Sequence, residues 1–148
     1  MEQNLQSTYN IIIKAMDTFN YMVVDDDRTN NLICQLMIQK FDASAEIKLF
    51  LKPEEGLEYI ENYVDKPTVL FLDVNMPTMS GWQFLDQFLE FKPEVKEKLH
   101  IYILTSAIQS FEKEKETYPF VKKILSKPLK KEYLIEMKNS FENKYNLS

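Results

Sequence analysis

Four short strand-like runs in this chain each end in side chains that can do chemistry. Tyr21-Met22-Val23-Val24 leads into Asp25-Asp26-Asp27, and Val69-Leu70-Phe71-Leu72 leads into Asp73. Ile101-Tyr102-Ile103-Leu104 ends at Thr105-Ser106, and Val121 to Leu125 ends at Ser126-Lys127-Pro128. Three carboxylates, a hydroxyl and an amine gathered in one place make a specific kind of site. Crowded carboxylates require a cation, and an all-oxygen donor set at a phosphoryl centre suits Mg²⁺. Such a cation and the Lys127 ammonium would neutralise phosphoryl oxygens while Asp73 attacks in line. Thr105 would donate a hydrogen bond to the transferred group. Asp25, Asp26, Asp73, Thr105 and Lys127 are therefore the candidate site residues.

These groups meet only if the runs that carry them are parallel strands of one sheet. In an α/β sheet the carboxyl ends of the strands lie along one edge, and ligands bind outside it. The intervening segments fit that arrangement. From Thr29 a helix is expected, with Leu32, Ile33, Leu36, Met37 and Phe41 on its inward stripe and Cys34 and Met37 as packing residues. Glu46-Ile47-Lys48-Leu49-Phe50-Leu51 alternates in part, as a half-exposed strand at a sheet edge does. Pro53-Glu54-Glu55 reads as a helix start, with Pro in the first turn and acids at the positive end of the dipole. Gly56 within that helix costs about 1 kcal/mol relative to Ala, which a close approach of helix to sheet explains. Pro67 closes the helix.

After Asp73, the turn-rich segment Val74 to Gly81 leads to a helix from Trp82 bearing Phe84, Leu85, Phe88, Leu89 and Phe91, broken at Lys92-Pro93. Gly81 permits a tight start to that helix, and Trp82 reads as packing. Gln109 to Tyr118 is a charged, solvated helix stopped by Pro119. The last helix places Leu134, Met137, Phe141 and Tyr145 at helical spacing. Strands alternating with helices in this way predict an α/β, doubly wound parallel sheet. One domain is expected over residues 19–148, with an N-terminal extension over 1–18 and neither linker nor output domain. Within the extension Leu5, Tyr9, Ile12 or Ile13 and Met16 recur at helical spacing, while Ile11-Ile12-Ile13 reads equally as a strand.

Composition removes several function classes. A chain of 148 residues with 45% hydrophobic and 28% charged residues falls among soluble globular proteins, and no apolar run is long enough to span a bilayer. A net charge of -5 argues against nonspecific nucleic-acid binding. The single cysteine, Cys34, excludes an internal disulfide and, with no export signal at the N-terminus, fits a reducing cytoplasm. Lone His100 and lone Cys34 make no zinc site together. His100 precedes an apolar run and reads as structural or exposed. With only Gly56 and Gly81, no glycine-rich phosphate cradle is present, so phosphate would be handled by side chains and a metal.

The pattern resembles the receiver domain of bacterial two-component response regulators over about residues 20–145. Val23-Val24-Asp25-Asp26 is similar to that family's acidic pair, and Leu72-Asp73-Val74-Asn75-Met76-Pro77 with Ser80-Gly81 to its phosphorylation segment. Thr105-Ser106 matches its hydroxyl residue and small neighbour, and Lys127-Pro128 its lysine-proline pair. The resemblance implies a flavodoxin-like fold with strand order 2-1-3-4-5. It implies that Asp73 takes a phosphoryl group from a histidine kinase or histidine phosphotransfer protein and forms an acyl phosphate. Asp26, Asp73 and the backbone carbonyl of Asn75 would ligate Mg²⁺ directly, with Asp25 acting through water. Thr105 and Lys127 would contact phosphoryl oxygens and couple phosphorylation to movement of the fourth strand and helix. A cis Lys127-Pro128 bond is expected, and the face made by the charged helix, the fifth strand and the last helix is the expected docking or homodimer surface for an effector protein. One departure stands out: three residues before the lysine the family carries Tyr or Phe, and here Ile124 stands there.

Two other readings compete. An aspartate-nucleophile hydrolase of the haloacid dehalogenase type needs a second Asp two residues after the nucleophile, on the first strand; Asn75 stands at that position and Asp73 follows the third strand. A non-phosphorylated interaction module keeps the fold without the chemistry, but all five site positions carry competent residues. Whether a receiver of this kind switches partner binding or passes its phosphoryl group along a phosphorelay is open at this point.

Overall fold

A computed structural model of the protein describes residues 19–107 and 111–144. The expectations for residues 1–18, Gln109 and Tyr145 lie outside the described residues. Five parallel strands form one sheet in the order β2-β1-β3-β4-β5. They are β1 (Asn20–Val24), β2 (Ile47–Phe50), β3 (Thr68–Leu72), β4 (Leu99–Thr105) and β5 (Val121–Ser126). The helices are α1 (Arg28–Phe41), α2 (Pro53–Tyr63), α3 (Gly81–Phe88), the single turn α4 (Pro93–Lys96), α5 (Glu112–Thr117) and α6 (Lys131–Lys144).

Side chains of one strand point alternately to opposite faces, and the central strands supply a core on each. Met22 and Val24 of β1 and Leu70 and Leu72 of β3 meet Leu57, Ile60, Phe84 and Leu85 from α2 and α3. Tyr21, Val23, Val69 and Phe71 face the other way, against Cys34 and Ile38 of α1 and Leu134, Met137 and Phe141 of α6. Burying each large side chain contributes roughly 1.5–3 kcal/mol. This is why β3, buried throughout, occupies the centre, while β2 with its exposed Lys48 lies at the edge. Gly56 sits where α2 crosses β1, and a Cβ there would lie 2.9 Å from Val24 Cγ2, the close approach expected of it. The Lys127-Pro128 peptide is cis. Among the described residues no helix is long and apolar enough to cross a membrane.

Several expectations are corrected. The inward face of α1 is Asn30, Asn31, Cys34 and Ile38, whereas Leu32, Ile33 and Leu36 are exposed and Met37 and Phe41 flank the core. Hydrophobicity selected the wrong phase because the helix is oriented by the two asparagine amides, which bond to Asp25. Helix α2 ends at Tyr63, ahead of Pro67, where Val64 turns to an extended conformation. Helix α3 ends at Phe88, so Leu89 is exposed and Phe91 packs from the following turn; Pro93 opens α4 instead of only breaking a longer helix. His100 lies inside β4, not before it. Its ring packs edge-on to Phe19 and Phe141 at 5.3 and 5.0 Å, a structural role.

Trp82 is packing, as expected. It stacks on Tyr118 at 5.4 Å and packs on Phe111 at 5.5 Å, and the Tyr118 hydroxyl donates to Asp86 Oδ1 at 2.7 Å, tying the end of α5 to α3. Because Asp86 stays solvated in its absence, Tyr118→Phe is expected to cost only about 1 kcal/mol. Urea unfolding measures this, and an unchanged midpoint would show that the tie contributes nothing.

Candidate functional site

Strand register brings the acids together. The Asp25 N–H donates to Phe50 O at 3.0 Å, and the Asp73 N–H donates to Val24 O at 3.0 Å, so the chain just past β1 and β3 stays laddered. Asp25 and Asp73 are buried, at 1% and 6% exposure, while Asp26 is exposed. One carboxylate oxygen from each of Asp25, Asp26 and Asp73 lies within 4.8 Å of the others. Lys127, delivered by the end of β5, reaches across β4. Its Nζ lies 2.6 Å from Asp25 Oδ2 and 3.4 Å from Asp73 Oδ1. Thr105 is wholly buried at the end of β4, and its backbone oxygen accepts from the Lys127 N–H at 2.8 Å. The Thr105 hydroxyl accepts from the Ala107 N–H at 3.2 Å; among the described residues it makes no bond to the acids. Asn75, two residues past Asp73, is exposed in the loop that follows.

That loop is closed by its two ends. Ser80 caps α3 with a reciprocal box: the Gln83 N–H donates to Ser80 Oγ at 3.1 Å and the Ser80 N–H to Gln83 Oε1 at 2.9 Å. Gly81 then donates its N–H to Val74 O at 2.8 Å, pressing the start of α3 onto the chain just past Asp73. Val74 and Met76 turn inward to the core, leaving Asn75 outside.

Burial, followed by the negative charge of Asp25, raises Asp73 from its ordinary 3.8 to about 6, although Lys127 pulls the other way. For Lys127, burial works to lower the value, but its contacts with Asp25 and Asp73 outweigh it and raise the amine above its ordinary 10.5. The site is a short-range balance of crowded negative charge against one ammonium. An all-oxygen set of three carboxylates, two of them buried, fits a hard divalent cation such as Mg²⁺. Among the described residues, Asp26 and Asp73 accept no side-chain hydrogen bond except from Lys127, whereas both oxygens of Asp25 are engaged within the protein.

Two residues at this edge escaped the sequence reading. Asn30 Nδ2 donates to Asp25 Oδ2 at 2.7 Å, and Asn31 Nδ2 donates to the backbone oxygens of Asp25 at 3.1 Å and Phe50 at 3.5 Å. The available signal was their spacing: Asn30, Cys34 and Ile38 recur every four residues, so the polar pair begins the buried stripe of α1. Ile124, where the resembled family carries an aromatic residue, is half-buried on β5 and packs against the core shared with α2 and α3.

Comparison with known proteins agrees with this architecture. Residues 21–139 match the response regulator receiver domain. Among curated proteins, the chemotaxis protein CheY of Listeria monocytogenes is 29% identical over 76 residues, 51% of this chain and 60% of that protein. The alignment thus spans about three fifths of the length of that relative. Among solved structures, a response regulator receiver protein from Dyadobacter fermentans superposes with a TM-score of 0.76 at 17% identity, covering 84% of this chain and 98% of its own. A two component response regulator from Cytophaga hutchinsonii gives 0.74 at 24% identity, covering 85% and 98%. At these identities the structures speak for the flavodoxin-like fold alone, and the family rests on the sequence match. Receiver domains bind Mg²⁺ at an acidic pocket, and Asp25, Asp26 and Asp73 form such a group here. With that match running from β1 into α6, the chain belongs to the response regulator receiver domains of two-component signalling.

Proposed function

We propose that this protein accepts a phosphoryl group from the phosphohistidine of a histidine kinase or histidine phosphotransfer protein onto Asp73, in a Mg²⁺-dependent reaction, and thereby switches the binding of an effector protein. The observation that carries the proposal is the placement of Asp73 Oδ1 3.4 Å from Lys127 Nζ, within a group of three acids that together can hold a cation. In the transfer, a carboxylate oxygen of Asp73 attacks phosphorus in line. The new O–P bond forms as the P–N bond breaks, and the imidazole leaves with the electron pair. Lys127 turns its ammonium from Asp25 and Asp73 to a phosphoryl oxygen, where it offsets the negative charge that the phosphoryl group brings. Because the Thr105 hydroxyl accepts from Ala107, its own proton remains available to a phosphoryl oxygen. Asp26, Asp73 and the carbonyl of Asn75 would hold Mg²⁺, with Asp25 reaching it through water. When bound, Mg²⁺ supplies the positive charge that screens the incoming phosphoryl group from the acids.

A cytoplasmic setting fits a single cysteine buried in α1, its thiol pushed up to about 12 by burial. The same site serves a phosphorelay intermediate, which must in addition find a histidine phosphotransfer partner. The face of α5, β5 and α6 is the proposed surface for an effector or a second copy, because Lys122 and Lys123 of β5 and Glu112, Lys113, Lys115 and Glu116 of α5 are exposed there.

The test is incubation with Mg²⁺ and acetyl phosphate, followed by mass measurement. Wild type should gain one phosphoryl group as an acid-stable, alkali-labile adduct; Asp73→Asn, or removal of the metal by chelation, should abolish it. Absence of the adduct in wild type, or equal labelling of Asp73→Asn, sinks the proposal and favours an interaction module that keeps only the fold.

A further inference from the structure

We propose that Asn30 is the positioning residue that keeps Asp25 directed at the cation site when Lys127 leaves it. The inference rests on the receiver chemistry proposed above and extends it to a side chain outside the acidic group.

The geometry is a closed turn around one carboxylate. Asp25 Oδ1 accepts the Asp27 N–H at 2.9 Å. Asp25 Oδ2 accepts two donors at once, Asn30 Nδ2 at 2.7 Å and Lys127 Nζ at 2.6 Å. Asp27 in turn caps α1, its side chain accepting from the N–H groups of Thr29 and Asn30 at 2.9 and 3.5 Å. The backbone that carries Asn30 is therefore tied to the turn that carries Asp25, and Asn30 itself is buried at 5% exposure. An aspartate's outer torsion is broad and roughly two-fold, so an oxygen held on each side is what fixes it.

The two donors on Oδ2 differ in what they are free to do. Lys127 is shared with Asp73 at 3.4 Å, and phosphorylation of Asp73 would draw the ammonium toward the phosphoryl oxygens. Asn30, among the described residues, is not shared with Asp73 and so remains on Asp25. Its chemistry also suits the position. A neutral amide orients the carboxylate without cancelling its charge; a lysine or arginine there would neutralise the site against a cation. An aliphatic residue would leave a buried carboxylate oxygen without its fixed donor. The predicted consequence is specific to cation binding: outer-shell partners of metal ligands typically change affinity by about 10–100-fold when removed.

Asn31 provides the control. It is buried beside Asn30 on the same helix turn, but among the described residues its amide bonds only backbone oxygens, those of Asp25 and Phe50. The experiment measures Mg²⁺ affinity by calorimetry and Mn²⁺ affinity by electron paramagnetic resonance on wild type, Asn30→Ala, Asn30→Leu and Asn31→Ala. Asn30→Leu keeps the number and branching of the side-chain heavy atoms and favours the helix, so it remains informative if the alanine variant folds poorly. Both Asn30 variants should bind the cation about tenfold more weakly, while Asn31→Ala loses stability and retains wild-type affinity. Raising Mg²⁺ to saturation should restore acetyl phosphate labelling in the Asn30 variants, which a damaged fold would not allow. Wild-type affinity in the Asn30 variants overturns the inference, as does an equal loss in Asn31→Ala. Failure of wild type to bind either cation overturns the receiver reading and this inference together, which separates the two failures.

Discussion

Gly81→Ala is expected to destabilise the protein by about 3 kcal/mol and to slow labelling of Asp73 with it. A Cβ built on Gly81 would stand 2.5 Å from the backbone oxygen of Asp73 and 3.0 Å from Val74 Cα. Both are main-chain atoms at the end of the central strand, and neither yields by a side-chain rotation. The helix cannot withdraw without giving up the Gly81 N–H bond to Val74 O, and β3 cannot withdraw without disturbing the Asp73 N–H bond to Val24 O. Gly81 has a negative φ, so the requirement for glycine is close approach and not backbone conformation. Gly56 gives the contrast. Its added Cβ would meet a side-chain atom, Val24 Cγ2 at 2.9 Å, and alanine recovers about 1 kcal/mol of helix propensity, so the net loss there should be smaller. Urea unfolding at neutral pH measures both. The midpoint of Gly81→Ala should fall with little change in slope; stability within about 0.5 kcal/mol of wild type would show that the loop adapts.

The difference between these two glycines illustrates what the sequence could and could not say. A glycine within one helix and another at the start of the next were visible, but the identity of the opposing atom depends on strand register. Strands themselves were legible because buried parallel strands appear as apolar runs, and here three of them deliver Asp25, Asp73 and Thr105 directly at their ends. Half-exposure of β2 followed from Lys48 alternating with Ile47 and Leu49. The face of α1 was not legible, since its orientation comes from Asn30 and Asn31 bonding to Asp25, and hydrophobic periodicity cannot register a buried polar anchor. Lys127 was recognisable as a candidate, yet its preference for Asp25 Oδ2 over Asp73 Oδ1 reflects side-chain reach across β4, which no spacing encodes.

Asp73→Asn is expected to stabilise the metal-free protein above pH 6 and to make no difference at pH 3 and below. Burial and the charge of Asp25 raise Asp73 from 3.8 to about 6 in the folded state. Between those values the folded protein holds a proton that the unfolded chain has released, so stability falls as pH rises through that window. Below 3.8 the carboxyl is protonated in both states and nothing is lost. Above about 6 the folded state carries a crowded, buried carboxylate, at a cost of roughly 1–3 kcal/mol from a rise of about two units. Asparagine keeps the shape and cannot ionise, so the penalty disappears. The loss of the 3.4 Å contact with Lys127 is tolerable, because that ammonium retains Asp25 at 2.6 Å. Denaturant unfolding of both proteins with chelator at pH 3 and pH 8 should therefore show matching stabilities in acid and a more stable variant at pH 8. Adding Mg²⁺ at pH 8 should stabilise wild type by mass action and narrow the gap, since a cation offsets the charge that burial and Asp25 make costly at Asp73. A variant less stable than wild type at pH 8 in chelator would mean that Lys127 compensates Asp73 fully, and that the acids are held without electrostatic strain.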